Sequence, residues 1–206
     1  MAWVPMESNP DVVNNLIYKT GVKQTWKFID IFSLDEESLR FVEGPVIALI
    51  MLFPCGPEYE NEVKANTALI KERGQHVSNN VFFMKQNILN SCGAIALIHC
   101  IANNLDKDVL NDGELKNFIE AAKRLDPAGK GDLFVKSKVM NEVYSDSVNE
   151  GQTRPPPADS PVNYHFVAIV HVDEHVYELD GRKEFPINHG PSDFEHFLSN
   201  AAAVCR

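Results

Sequence analysis

Val81-Phe82-Phe83-Met84-Lys85-Gln86-Asn87-Ile88-Leu89-Asn90-Ser91-Cys92-Gly93-Ala94-Ile95-Ala96-Leu97-Ile98 reads as a strand over Val81 to Lys85, a loop, and a helix opening near Cys92. Asn90 or Ser91 can cap that helix, and it is apolar on nearly every face as far as Asn103-Asn104. A helix of that kind is buried and rigid. Cys92 therefore falls at the positive end of a fixed helix, where unsatisfied N–H groups favour thiolate over thiol, and the thiolate is the nucleophile. Cys100, on the same buried helix, reads as a small core residue.

A nucleophilic cysteine needs a base, and a base needs an orienter. His165 to Val170 and Val176 to Leu179 read as two antiparallel strands joined through Asp173-Glu174 and ended by Asp180-Gly181. A turn of two or four residues centred there makes His165 face Arg182 and Val167 face Asp180. His165 and Asp180 then share a face as diagonal neighbours, at a Cα separation on the order of 7 Å. A carboxylate at that distance can fix the imidazole tautomer while the other ring nitrogen takes the thiol proton. A three-residue turn would break the relation. Among the other histidines, His99 reads as a satisfied core residue, His171 and His175 as solvated turn flanks, and His189 in Asn188-His189-Gly190 as loop structure.

Outward from these segments the elements alternate irregularly. Ser8-Asn9-Pro10 offers a cap and a first-turn proline before the stripe Val12, Val13, Leu16 and Ile17, ended by Gly21. Trp26 to Phe32 is expected as a short strand, and Ser33 with Glu36 has capping-box spacing before a second helix. Val46 to Phe53 is expected as a central strand, and Glu58 to Arg73 as a charged helix stopped by Gly74. Asn111 or Asp112 is expected to cap a helix reaching about Arg124, with another helical stretch from about Asp132 to Tyr144. Ser145 to Asn163, with Pro155, Pro156, Pro157 and Pro161, is expected to be a long exposed loop, a feature that in compact domains is usually functional or disordered.

Composition bounds the function classes. The 206 residues are 44% hydrophobic and 23% charged, as expected of one globular domain. A net charge of −10 argues against nucleic-acid binding and suits a basic or Arg-tailed protein partner. No GxGxxG or GxxxxGK[ST] loop supports nucleotide binding. The four cysteines, Cys55, Cys92, Cys100 and Cys205, form no CxxC pair, so neither a zinc site nor any other metal or cofactor is expected. Met1 to Glu7 has no signal-peptide pattern, and the longest apolar run falls far short of the roughly 20 residues that span a bilayer. No membrane association is expected, and a cytoplasmic location is.

Taken together, Pro5 to Pro10, Leu52-Phe53-Pro54, Phe83-Met84-Lys85-Gln86, Asn90-Ser91-Cys92-Gly93, Glu150-Gly151-Gln152 and Tyr177-Glu178-Leu179-Asp180-Gly181-Arg182 resemble the ubiquitin C-terminal hydrolase family of thiol peptidases. The resemblance covers nearly the whole chain. It implies an α+β fold, an antiparallel β-sheet with helices packed on both faces and a papain-like, knotted backbone, as a single catalytic domain over 1–206. It also implies Cys92 as nucleophile, His165 as base, Asp180 as its orienter and Gln86 as an oxyanion donor. From spacing alone Gln86 reads only as an exposed strand-end residue.

The same resemblance makes the 145–163 stretch a crossover loop that limits leaving groups to small adducts and short peptides. It makes Pro5, Met6, Glu7, Ser8, Asn9 and Pro10 part of a ubiquitin contact. The partner implied is ubiquitin or a ubiquitin-like modifier; no oligomeric state is implied. Two departures stand out. Asp173-Glu174 replaces the Asp-Gly that suits a tight type I′ turn. Family members also continue past Ala203-Val204-Cys205-Arg206 into a further strand, so the last strand is expected to be lacking. That raises the alternative of a truncated, catalytically impaired ubiquitin-binding protein with an exposed sheet edge.

Overall fold

The computed structural model describes residues 2–148, 151–152, 156–157 and 162–206. Its centre is a four-stranded antiparallel sheet in the order β1 (Ala48–Pro54), β2 (Tyr164–Val172), β3 (His175–Leu179), β4 (Ile187–Pro191). β2 is buried along nearly its whole length, because helices cover both faces of the sheet. On one face Ala168, Val170, Tyr177 and Leu179 join the main core, which includes the helix Cys92–Ala102. On the other, Leu49, Ile169 and Val176 pack with Phe197 and Ala201 of the helix Phe197–Cys205. Successive residues of β2 thus feed opposite cores, as the two-residue period of a strand dictates.

In chain order the α-helices are α1 (Pro10–Lys19), α2 (Glu36–Leu39), α3 (Pro57–Arg73), α4 (Cys92–Ala102), α5 (Glu114–Ala122), α6 (Pro127–Lys136), α7 (Lys138–Val148) and α8 (Phe197–Cys205). α1 starts as its sequence reads: the Asn9 side chain accepts from the Asp11 amide, Pro10 opens the first turn, and Val12, Val13, Leu16 and Ile17 are buried. α3 ends at Gly74, whose φ of 74° suits a residue without Cβ.

Several expected elements take another form. Trp26 to Phe32 is not a strand: the Asn14 amide clamps both the N–H and the carbonyl of Phe28, at 2.7 and 2.9 Å, and the Tyr18 hydroxyl donates to the Trp26 carbonyl. Val81 to Lys85 is extended but joins no sheet. Asn103 holds Phe82 by N–H and carbonyl, at 2.8 and 2.9 Å, and the Met84 amide donates to His99 Nε2 at 3.1 Å. Side chains supply in both places the partners that a neighbouring strand would have given.

The cap of α2 is Asp35 rather than Ser33, whose hydroxyl accepts from the Asp35 amide. The cap residue of α5 is Gly113, while Asp112 pairs with Lys116. Ser137, in extended conformation, splits the expected helix of 132–144 into α6 and α7. α7 runs on to Val148, so Ser145 to Val148 are helical and the loop begins later. Of that loop, residues 149–150, 153–155 and 158–161 lie outside the described residues, Glu150, Pro155 and Pro161 among them. His189 lies in β4 and not in a loop. No helix among the described residues is long and apolar enough to cross a membrane.

The β2–β3 hairpin turns through Asp173 and Glu174 alone, with φ of 47° and 60°. This is the two-residue turn of left-handed residues that Asp-Glu disfavours. Asp173 is held there as acceptor for the Ser78 hydroxyl and the Asn80 amide.

Candidate active site

α4 delivers Cys92 at its first position. Every residue from Cys92 to Ile101 is buried, so the helix has no soluble face about which to turn. Ser91 occupies the cap position but its side chain does not cap: its hydroxyl donates to the Ile88 carbonyl. Asn90 bends the chain into the helix with φ of 63°. Gly93 lies close under Met6: a Cβ there would meet the Met6 methyl at 2.6 Å, so the end of that side chain would have to move.

The hairpin delivers the base and its orienter. Pairing symmetric about the turn runs from Val172–His175 to Ala168–Leu179, and beyond it His165 Nε2 donates to Asp180 Oδ1 at 2.7 Å. Both side chains are fully buried, at 0% exposure. Asp180 Oδ1 also accepts from the Arg182 amide at 2.8 Å, and Oδ2 accepts from the Tyr59 hydroxyl at 2.9 Å. Tyr59 escaped the sequence reading because it stands in a charged, mostly exposed helix where no periodicity marks it.

His165 Nδ1 is buried, and His165 and Cys92 shift one another's titration. Burial pushes the Cys92 thiol up; a hydrogen bond with His165, the Phe166 amide and the charges of His165 and Arg182 outweigh burial and hold it below its ordinary value. Burial disfavours the His165 imidazolium, but hydrogen bonds with Asp180 and Cys92 reverse the effect and raise it. Burial likewise works against the Asp180 carboxylate, and the donors His165, Arg182 N–H and Tyr59 keep it ionised below the usual range. Each of the three shifts favours the charged form of its group.

Gln86 is tied to the same corner. Its backbone N–H donates to the Gly181 carbonyl at 2.9 Å, and its side-chain amide donates to the Ile88 carbonyl at 3.1 Å. Cys92 opens onto a cleft of about 210 Å³. Pro5, Met6 and Glu7 form one wall, Leu52, Tyr164 and Phe166 of β1 and β2 another, and Pro156 and Val162 also line it. Ser8, Asn9 and Pro10 do not line this cleft; Asn9 and Pro10 serve the start of α1.

The remaining reactive groups stand apart. Cys100 is buried in the core, and burial drives its thiol far up. His99 is a core residue as expected, accepting from the Met84 amide while its Nδ1 faces the Leu179 carbonyl, and burial lowers it to about 4. His171 is not solvated as expected: half-buried, it donates to the Ser192 carbonyl. Among the described residues no group of three or more His, Cys, Asp or Glu is placed to hold a metal.

A cysteine at the head of a buried helix, with a histidine and an aspartate from one hairpin, supplies the residue types that a thiol hydrolase uses. The family model described as ubiquitin carboxyl-terminal hydrolase, family 1, matches residues 3–206. The ubiquitin carboxyl-terminal hydrolase isozyme L1 of Rattus norvegicus is 44% identical over 203 residues, spanning 98% of this chain and 89% of the relative. The Homo sapiens isozyme L1 is 43% identical over the same spans, 98% and 89%. The catalytic domain of Trichinella spiralis UCH37, solved bound to ubiquitin vinyl methyl ester, shares the fold with a TM-score of 0.71 at 24% identity, over 99% of this chain and 87% of that one. The chain belongs to ubiquitin carboxyl-terminal hydrolase family 1 and is by that membership a cysteine-type deubiquitinating hydrolase.

Proposed function

We propose that this chain, acting as one catalytic domain, cleaves small adducts and short peptides from the C-terminal glycine of ubiquitin through an acyl-enzyme at Cys92. The observation that carries this reading is the buried His165–Asp180 pair, 2.7 Å apart, whose imidazole interacts with a thiol at the head of α4. The Cys92 thiolate attacks the glycine carbonyl carbon. Charge gathers on the carbonyl oxygen, where the Gln86 side-chain amide and an N–H of the first turn of α4, which the Ser91 side chain does not cap, donate to it. His165 passes its proton to the leaving amine or thiol as the tetrahedral intermediate collapses to the thioester. It then takes a proton from water, which attacks the thioester and frees the ubiquitin carboxylate and Cys92. Asp180 keeps the imidazole in the tautomer that permits both transfers.

The cleft supports the substrate class. A passage of about 210 Å³ admits an extended, small-residue tail and not a folded chain. Pro5, Met6 and Glu7 offer it a wall, and a protein of net charge −10 suits an Arg-containing tail. The segment that carries Pro156 and Val162 acts as the crossover loop, limiting the leaving group.

Release of a fluorophore from the C-terminus of ubiquitin tests the reading, with Cys92→Ala and ubiquitin-like modifiers alongside. Turnover by the wild type, lost in Cys92→Ala, is expected. A folded wild type that binds ubiquitin and releases nothing would refute hydrolysis and leave a ubiquitin-binding protein.

A further inference from the structure

The Asp180 carboxylate is bound on both oxygens, and the two are held by different parts of the fold. Oδ1 belongs to the hairpin, with His165 Nε2 at 2.7 Å and the Arg182 amide at 2.8 Å. Oδ2 accepts from Tyr59, the third residue of α3, far away in sequence. Tyr59 is itself fixed. Its ring meets Phe53 edge-on at 4.9 Å and 62°, Phe53 is paired across the sheet with His165, and the Lys183 ammonium, ion-paired to Glu178, stands 6.0 Å from the ring centroid. Ile70 is the one fully buried residue of α3, so core packing does not account for the first turn being held against the site.

We propose that Tyr59 is a positioning residue for the reaction, its hydroxyl locking the second oxygen of Asp180 so that the first stays aimed at His165 and the imidazole stays aligned with Cys92. The inference rests on the roles given above to Cys92, His165 and Asp180. A carboxylate rotates easily about its terminal bond, and anchoring one oxygen leaves that rotation open. Anchoring both from separate elements closes it. The hydroxyl remains a donor at every working pH, since burial and then the neighbouring Asp180 charge drive its ionisation well above the ordinary tyrosine range. Because it donates to the charged carboxylate, its removal lets Asp180 protonate at higher pH. The other groups facing Asp180 are His165 of β2, Arg182 beside it, Lys85 of the extended segment and His99 of α4, and none of them binds Oδ2.

The test compares Tyr59→Phe, Asp180→Asn and the double variant. Two rates are followed across pH: fluorophore release from ubiquitin, and alkylation of Cys92 by iodoacetamide, which stays measurable where turnover is slow. Tyr59→Phe keeps the ring and its Phe53 contact, so a merely structural role predicts no change. The expected result is a kcat about tenfold lower with KM within about twofold, as the loss of one hydrogen bond to a charged group implies. The acid limb of kcat/KM moves to higher pH, and in the Asp180→Asn background Tyr59→Phe has no further effect on either rate. A wild-type kcat with an unmoved acid limb, or an equal loss in the Asp180→Asn background, would overturn the inference. Full turnover by Asp180→Asn would instead bring down the reading of the site itself and this inference with it.

Discussion

Replacing Gly181 with alanine tests whether the site depends on close packing behind Asp180. A Cβ at Gly181 would lie 3.0 Å from each of the Gln86 Cβ, the Gln86 backbone nitrogen and Ile95 Cγ2. That is tighter than ordinary van der Waals contact, so the neighbours must part by a few tenths of an ångström. None gives easily: the Gln86 N–H is bonded to the Gly181 carbonyl at 2.9 Å, and Ile95 is buried in α4. Overpacking of this kind costs about 1–3 kcal/mol, and for a chain of this size each kcal/mol lowers Tm by about 2–4 °C.

The larger effect falls on turnover. Gly181 adjoins Asp180, and the strain separates Gln86 and α4 from the end of the hairpin, so both Asp180 and Gln86 shift against Cys92. A full 1 Å misplacement costs about 100-fold in rate, so a shift of a few tenths of an ångström should lower kcat by roughly fivefold. The assay is fluorophore release from ubiquitin, with thermal unfolding followed in parallel and Gly113→Ala as control, since nothing lies within 4 Å of a Cβ at Gly113. A folded Gly181→Ala with kcat within about twofold of wild type would refute the reasoning.

Other expectations concern stability. His99 is buried neutral with its pKa lowered to about 4, so the unfolded chain takes up a proton that the folded chain refuses between about 6.5 and 4. Stability should therefore fall as pH drops below 6.5, by on the order of 3 kcal/mol once pH passes below about 4. Comparison of urea midpoints at pH 7 and pH 4.5 in wild type and His99→Gln checks this, the variant losing less. Glu174 occupies a left-handed position with φ of 60°. Glu174→Gly should raise stability by about 1 kcal/mol, seen as a Tm higher by about 2–4 °C, and an unchanged or lower Tm would contradict the assignment of strain to that residue.

The hairpin was readable because His165 to Leu179 offers one turn and a strict two-residue period, and symmetry about Asp173-Glu174 carries His165 to Asp180. α4 was readable because its apolar run is too long to be a strand. Residues 26–32 and 81–85 misled for a common reason: aromatic and β-branched residues mark extended chain, and extended chain need not join a sheet. Their backbone partners are side chains of Asn14, Asn103 and His99, which no local pattern reveals. β4 stayed hidden because Asn188, Gly190 and Pro191 argue for a loop, while its ladder with β3 is bulged between Val176 and Tyr177. Gln86 was named through family resemblance and not from spacing, and Tyr59 could come only from knowing where α3 lands.

Trp3 packs on Phe134 and Tyr144, its amide donates to the Leu89 carbonyl, and Pro5 to Glu7 wall the cleft. Residues early in this stretch are therefore bound by residues made much later. Cys92 precedes His165 by roughly 70 residues, which at about 5–20 residues per second is an interval of roughly 4–15 s. Throughout that interval the thiol has neither imidazole nor carboxylate beside it and behaves as any cysteine does. On the function proposed for this site, the reactivity of Cys92 waits for the arrival of one hairpin, and the growing chain carries the thiol as an idle group until that hairpin has been made.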